Sequence, residues 1–190
     1  MPHILNRFRK LCRDQSGTAV IEFMVMIPFL FTMLLAMVVY FDAYRTKNLN
    51  LKAAYTISDM LSRENPIVDE DYIEGLHTVF RFSVGSPQPS WIRVTKFQFD
   101  TQDPNDPNDG RYIMKWSHGT TGISDHTEAS IQEIAGDIPV MAHGATALMV
   151  ESQMTYIPPF QVSIGPIDFN NRVITRPRWG QGPCWETCIN

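Results

Sequence analysis

Apolar residues are spread unevenly along this chain of 190 residues. Nineteen consecutive residues, Phe23 to Phe41, lie between Glu22 and Asp42 and carry no charge. Thr18 to Ile21 extend the apolar stretch backwards. As a helix, such a run rises ~28 Å, close to the ~30 Å hydrocarbon core of a bilayer. A soluble core helix would carry a polar stripe, and none interrupts this run. A cleavable secretory signal has an apolar region of about 7–15 residues followed by an A-x-A-like site. This run is longer and no such site follows it. The pattern predicts a retained transmembrane helix over residues 18–41, behind a basic leader at residues 1–17.

The helical pattern continues past the charges. Asp42 to Glu64 contains no Pro or Gly, and Ala53, Ala54, Ile57, Met60 and Leu61 recur at helical spacing. Asn65-Pro66 supplies the stop. Residues 42–64 are therefore expected to extend the membrane helix, giving one element from Thr18 to Glu64, about 70 Å long. Residues 65–190 form the head. A second helix is expected from Glu70 to Phe82, with Asp69 as N-cap, Glu70 and Asp71 in the first turn, and Val68 and Ile73 at staple spacing. After the loop Gly85 to Ser90 the period changes. Trp91 to Phe99 reads as a strand with Ile92 and Val94 on one face and Phe97 and Phe99 on the other. The change of phase near Thr95-Lys96 predicts a bulge or a strand buried on both faces. Tyr112, Met114 and Trp116 alternate in a second strand, joined to the first by a long hairpin loop, Asp103 to Gly110. Asp125 and Glu128 have capping-box spacing for a short helix ending at Ala135-Gly136. Leu148, Val150, Met154 and Tyr156 alternate in a third strand ended by Pro158-Pro159. Val162–Ile164 and Arg172–Thr175 read as short strands, and the tail as irregular. The fold class is α+β: a long N-terminal transmembrane and amphipathic helix, then a head with a short helix pair and an antiparallel sheet.

Charge orients the chain. Arg7, Arg9, Lys10 and Arg13 precede the span with one acid, Asp14; Asp42, Arg45, Lys47 and Lys52 follow it. Four basic residues against three favour an N-terminus in the cytoplasm. The cysteines point the same way. Cys12 lies on the basic side, and Cys184 and Cys188 close the chain as Cys-Trp-Glu-Thr-Cys. Two cysteines outside any four-ligand zinc pattern suit a disulfide in an oxidising compartment; the alternative is two free thiols in a cytosolic tail. The net charge of −4 marks no nucleic-acid partner.

The head carries no recognisable catalytic motif. His3, His77, His118, His126 and His143 form no H-E-x-x-H, and there is no phosphate-binding Gly-rich loop or G-x-S-x-G. His118, Asp125, His126 and His143 are the one set that a fold could gather on a metal. The run Asp103 to Asp109 suggests calcium by composition but misses EF-hand spacing: counting back from Gly110, the first and third positions fall on Asn105 and Pro107. A solvated hairpin is the simpler reading. No enzyme, cofactor or small-molecule substrate is expected. Trp91, Trp116, Trp179 and Trp185 either line a binding face or fill the core, with Trp185 expected to pack over the cysteine link.

Glu22 is the most informative residue. A carboxylate near the centre of an apolar helix costs about 2.5–3.5 kcal/mol on insertion scales, and less near the interface. It either seeks a partner or snorkels to the cytoplasmic edge. Its context is a basic leader, Gly17, four mostly apolar residues, then Glu22-Phe23 and, further on, Pro28. This resembles the type IV prepilin processing site, and more narrowly the TadE-like family (TadE, TadF and TadG relatives) of the Tad, or tight-adherence (Flp), pilus-assembly system. The resemblance spans residues 7–45 and beyond that rests on a pilin-like layout. It implies that a membrane-embedded prepilin peptidase cuts after Gly17, making Thr18 the new N-terminus. It also implies that Glu22 pairs with the free amine of a neighbouring subunit, two charges that offset one another in lipid and so fix register. TadG relatives often lack a cleavage site; here Gly17 and Glu22 stand at the required separation. Pro28 would kink the span, aiding packing or extraction, or is simply a tolerated membrane proline. The implied partners are the inner membrane, other Tad pilins and platform proteins, and the peptidase, with the head in the periplasm. A membrane-anchored adhesin or binding module is the alternative.

Overall fold

The computed structural model describes residues 16–65, 67–85, 87–101, 110–160 and 165–187, without the side chains of 16, 18 and 19. The leader up to residue 15, the Asp103–Asp109 loop and the expected strand Val162–Ile164 lie outside the described residues.

The first element, α1 (Ser16–Arg63), is one helix of 48 residues with Pro28 inside it. It starts two residues earlier and stops one residue earlier than the pattern suggested. The stop has a steric cause: Asn65 precedes a proline, which disfavours helical backbone there. Contacts divide the chain into two compact units at Asp42, where the apolar run ends. One unit comprises α1 up to Asp42 together with Pro158–Gly165. The other comprises the rest of the chain from Ala43.

The second unit is α+β. Its four-stranded antiparallel sheet consists of β2 (Ser90–Thr101), β3 (Gly110–Gly119), β4 (Thr146–Tyr156) and β5 (Ile167–Thr175), in the order β3-β2-β4-β5. On one face, Ala53, Ile57 and Leu61 of α1 pack with Ile73, Leu76, Phe80 and Val84 of α2 (Glu70–Val84) onto Ile92, Val94, Leu148, Val150 and Met154. On the other, Ile131 of α3 (Glu128–Glu133), Ile138 and Met141 cover Phe97, Phe99, Tyr112, Ala147 and Met149. The two head helices therefore do not pair with one another; each helps to cover a different face of the sheet. This explains why β4 is buried at every position from Ala147 to Ser152, although only its even-numbered residues show the alternation.

The change of phase in β2 has the same origin. Register with β4 is unbroken, so Arg93, Thr95 and Phe97 share a face while Ile92, Val94 and Lys96 share the other. The irregularity lies in β3: Lys96 pairs with Trp116 but Phe97 with Met114, leaving Lys115 as the extra residue of a bulge. The bulge puts Tyr112 and Met114 on the α3 face and Trp116 on the α1 face, so both clusters receive aromatic volume.

The caps follow local chemistry. Asp69 Oδ1 accepts the Tyr72 N–H at 2.9 Å, and Gly85 closes α2 in the left-handed region at φ 66°. The capping box of α3 is formed by Thr127 and Ser130, not by Asp125 and Glu128. Asp125 is occupied elsewhere, accepting the Gly119 N–H at 2.8 Å. That helix ends at Glu133 and gives way to a single 3₁₀ turn, Ala135–Asp137. The strand expected at Arg172–Thr175 begins at Ile167, five residues earlier. The tail is not wholly irregular: β6 (Cys184–Trp185) pairs parallel with β1 (Ile67–Val68). The Lys96 ammonium and the Trp116 indole N–H both donate to the Pro183 carbonyl at 3.1 Å and hold the tail there. Burial, with Lys115 nearby, lowers the Lys96 pKa.

Candidate functional site

The N-terminal half of α1 is where the sequence concentrates its unusual chemistry. Gly17 lies in the first turn, exposed, with nothing within 4 Å of where a Cβ would stand. Thr18 follows it in the helix. Glu22 is exposed, and among the described residues it has no hydrogen-bond or ion-pair partner. It is surrounded by apolar side chains that are equally uncovered: Ile21 is 66 % exposed and Phe23 67 %. Every described side chain from Val20 to Leu34 is exposed. In the most apolar window of α1 only 6 % of residues are buried, and the helix is long and apolar enough to cross a membrane. Helical geometry puts Thr18 and Glu22 on one face, four residues apart, while Gly17 and Glu22 are turned well away from each other. The helix passes through Pro28 without ending; Pro28 has no N–H for the Met24 carbonyl four residues back.

Among the described residues of the head, polar side chains gather at several places. The most buried joins neighbouring strands in a single rung: Arg93 of β2, Glu151 of β4 and Arg172 of β5 are cross-strand partners. Arg93 donates to Glu151 Oε2 from Nε at 2.9 Å and from Nη2 at 2.7 Å, and Arg172 Nε donates to Oε1 at 3.1 Å. His126 Nε2 lies 2.7 Å from the same Oε2. Burial pushes the Glu151 carboxyl up, but Arg93 and then His126 outweigh it and hold its pKa below the usual carboxylate range. Sequence reading missed this set. Its signal was a charge inside each of three strand patterns, beside Ile92, Val150 and Val173.

The second grouping lines a cleft of about 220 Å³ between α2 and the start of β2. His77 Nε2 is 3.1 Å from Ser90 Oγ, and His77 Nδ1 is 3.8 Å from Glu74 Oε2. The order Glu-His-Ser invites a nucleophile reading, but 3.8 Å is too long for the orienting hydrogen bond. Glu74 is engaged by the Thr121 N–H at 2.8 Å and the Thr121 hydroxyl at 2.9 Å, contacts led by the backbone one that lower its pKa. The grouping ties α2 to the turn after β3.

The histidines of the expected metal set are kept apart by the fold. His118 lies 3.9 Å from Asp125, His126 is on Glu151, and His143 lies 3.4 Å from Asp100. No group of three metal-ligating side chains forms among the described residues. His118 instead stacks on Trp185 with ring centroids 4.2 Å apart, and Trp116 lies 5.6 Å from the same ring. Trp179 is exposed. Cys184, on β6, carries no free thiol; its expected partner, Cys188, lies outside the described residues. No protein-family model, curated protein or solved structure matches the chain.

Proposed function

We propose that this chain is a pilin-like accessory protein of a Tad (Flp-type) pilus or a related secretion apparatus. It sits in the bacterial inner membrane with its N-terminus in the cytoplasm and its head in the periplasm. In this reading a prepilin peptidase cuts after Gly17, and Glu22 of the mature chain pairs with the Thr18 amine of a neighbouring Tad pilin. The head then serves assembly contacts and has no catalytic or cofactor-binding role. A Cys184–Cys188 disulfide closes the tail, in keeping with a Cys184 that has no free thiol.

One observation carries the reading: Glu22 stands unpartnered on a helix whose described neighbours are apolar and uncovered by the chain itself. A carboxylate there is costly in lipid and calls for a cation from outside the chain. The six-residue window from Gly17 to Glu22 supplies both the exposed cleavage point and the charge.

The test is the mature N-terminus of the protein from piliated cells with their own peptidase. Mass spectrometry is expected to find Thr18 first, and a Gly17→Arg variant should remain full length. An intact Met1 in the wild-type protein would rule processing out. Glu22→Ala should abolish pili while leaving the protein in the membrane at normal level. Normal pili in that variant would make Glu22 an interfacial side chain with no assembly role. A free-standing adhesin would tolerate both changes.

A further inference from the structure

We propose that the cleft between α2 and the start of β2 is a binding site for a neutral hexopyranose unit, seated against Trp91 and Gln153. The inference concerns the head alone and goes beyond the assembly role, since no part of it depends on Gly17 or Glu22.

The cleft exists because β3 stops short of the start of β2. Pairing between them ends at Arg93 opposite Gly119, and the chain then enters a turn at Thr120 and Thr121. The Pro89 carbonyl accepts the Thr155 N–H from the β4 side, whereas the Ile92 carbonyl accepts the Thr120 N–H from the opposite side. Alternation therefore points the Ser90 N–H and C=O away from β4, to an edge that β3 does not reach. An extended peptide could not use this edge. Thr120 already holds both main-chain groups of Ile92, so a single residue's worth of pairing is open.

The side chains around that opening are polar and have hydrogen-bonding capacity to spare. Trp91 and Gln153 are cross-strand partners, so their side chains lie side by side on one face. Among the described residues neither the Gln153 amide nor the Trp91 indole N–H has a hydrogen-bond partner. Both Thr121 contacts with Glu74 fall on Oε1, and Oε2 stays an open acceptor with His77 Nδ1 3.8 Å away. The Trp91 ring is half-buried and already fixed. The Arg93 guanidinium lies over it, 5.7 Å from the ring centre, and is itself bound to Glu151 and the Ser124 carbonyl. A ring held in place loses little freedom when a ligand settles on it.

Size and charge narrow the ligand. The volume of about 220 Å³ falls below the ~300–1,000 Å³ of sites for drug-sized molecules and suits one six-membered ring whose neighbours stay outside. Of the ten lining residues only Glu74 carries a fixed charge, and it is negative, which disfavours phosphates and carboxylates. A neutral pyranose matches what remains. It has a face rich in C–H bonds for the negative face of an indole, and a rim of hydroxyls that each donate and accept.

The test is fluorine NMR of the full chain in phosphatidylcholine nanodiscs, with 5-fluorotryptophan at all four tryptophans and Trp91→Phe to assign the signal. Methyl glycosides of glucose, galactose, mannose and N-acetylglucosamine are titrated in turn. At least one should shift the Trp91 signal saturably at millimolar concentration, while the other tryptophan signals stay in place. Gln153→Leu should weaken that sugar about tenfold, the equivalent of one lost hydrogen bond, and leave the other tryptophan signals of the free protein unmoved. Methylamine is the control. A Trp91 signal that answers to methylamine and to no glycoside means that Glu74 selects cations, and the inference fails. No shift with any glycoside, a shift confined to another tryptophan, or unchanged affinity in Gln153→Leu also overturns it. Each of these failures leaves the anchor and processing readings standing.

Discussion

Glu151 occupies a position in β4 where the flanking residues, Val150 and Ser152, are themselves buried. Its carboxylate is stabilised because guanidinium groups reach it from strands on both sides, at 2.7 Å from Arg93 and 3.1 Å from Arg172. A buried cluster of this kind is costly to desolvate and costlier to break. Removing the carboxylate leaves two cations facing each other, and Glu151→Ala should cost about 3–5 kcal/mol in urea unfolding. The pH dependence has a definite sign. The folded carboxyl lies below its ordinary value of 4.5, so on acidification the unfolded chain takes up the proton first. Stability should be fully present above that value and be lost as pH falls from it towards the depressed folded pKa. Glu151→Gln should flatten that acid limb, as read from unfolding midpoints across the range. The rung was barely legible in the sequence, because a lone Arg or Glu in a strand normally faces water. Only the register that brings three of them together gives it another meaning. Glu22 was the opposite case: its place inside an uninterrupted apolar run was plain from the order of residues alone.

Elements with local causes were the most legible. Asp69, the staple residues and Gly85 bound α2 through contacts between near neighbours, and the pattern erred only at its C-terminal end, by two residues. The start of α3 was misread because two overlapping signals compete there. Asp125 with Glu128 and Thr127 with Ser130 both have cap spacing, and the choice falls to Thr127 because the Gly119 N–H already holds Asp125. β6 had no local signal, being two residues held by Lys96, Trp116 and β1. The β3 bulge lies between these cases: the change of phase in β2 pointed to the right rungs, Lys96 and Phe97, while the extra residue is Lys115 in the partner strand. Because Lys115 is the residue of β3 left without a partner in β2, deleting it leaves every other rung in register and keeps Tyr112 and Met114 on one face and Trp116 on the other. Near-UV circular dichroism should keep its aromatic signal and thermal unfolding should stay cooperative. Replacing that deletion by a deletion of Ile113, within the paired run, should instead reverse one side of the strand and broaden the transition; a loss of aromatic signal on removing Lys115 would show that the bend of the bulge is itself needed.

At the scale of the whole chain, the division at Asp42 separates two ways of burying apolar surface. Every residue of both hydrophobic clusters lies beyond it, the earliest being Ala53. The apolar residues before it are mostly left bare and require a lipid or protein cover. A fragment of residues 43–190 thus retains both sheet faces, the second half of α1 and the Arg93–Glu151–Arg172 rung, and it should fold alone. Expected outcomes are a single cooperative urea transition, a near-UV spectrum matching that of the full chain in detergent, and a protein that is soluble without detergent. Exposed Phe160 remains in the fragment, but burial of a single ring falls short of the marginal membrane binding given by a myristoyl chain. The fragment should therefore stay with the soluble fraction when vesicles are floated, while the full chain rises with them. A fragment that binds a hydrophobic dye and lacks near-UV signal would show that the head needs the chain before Ala43 to become ordered. Neither cluster contains a residue from before Ala53, so the side chains that pack on both faces of the sheet are all retained in the fragment.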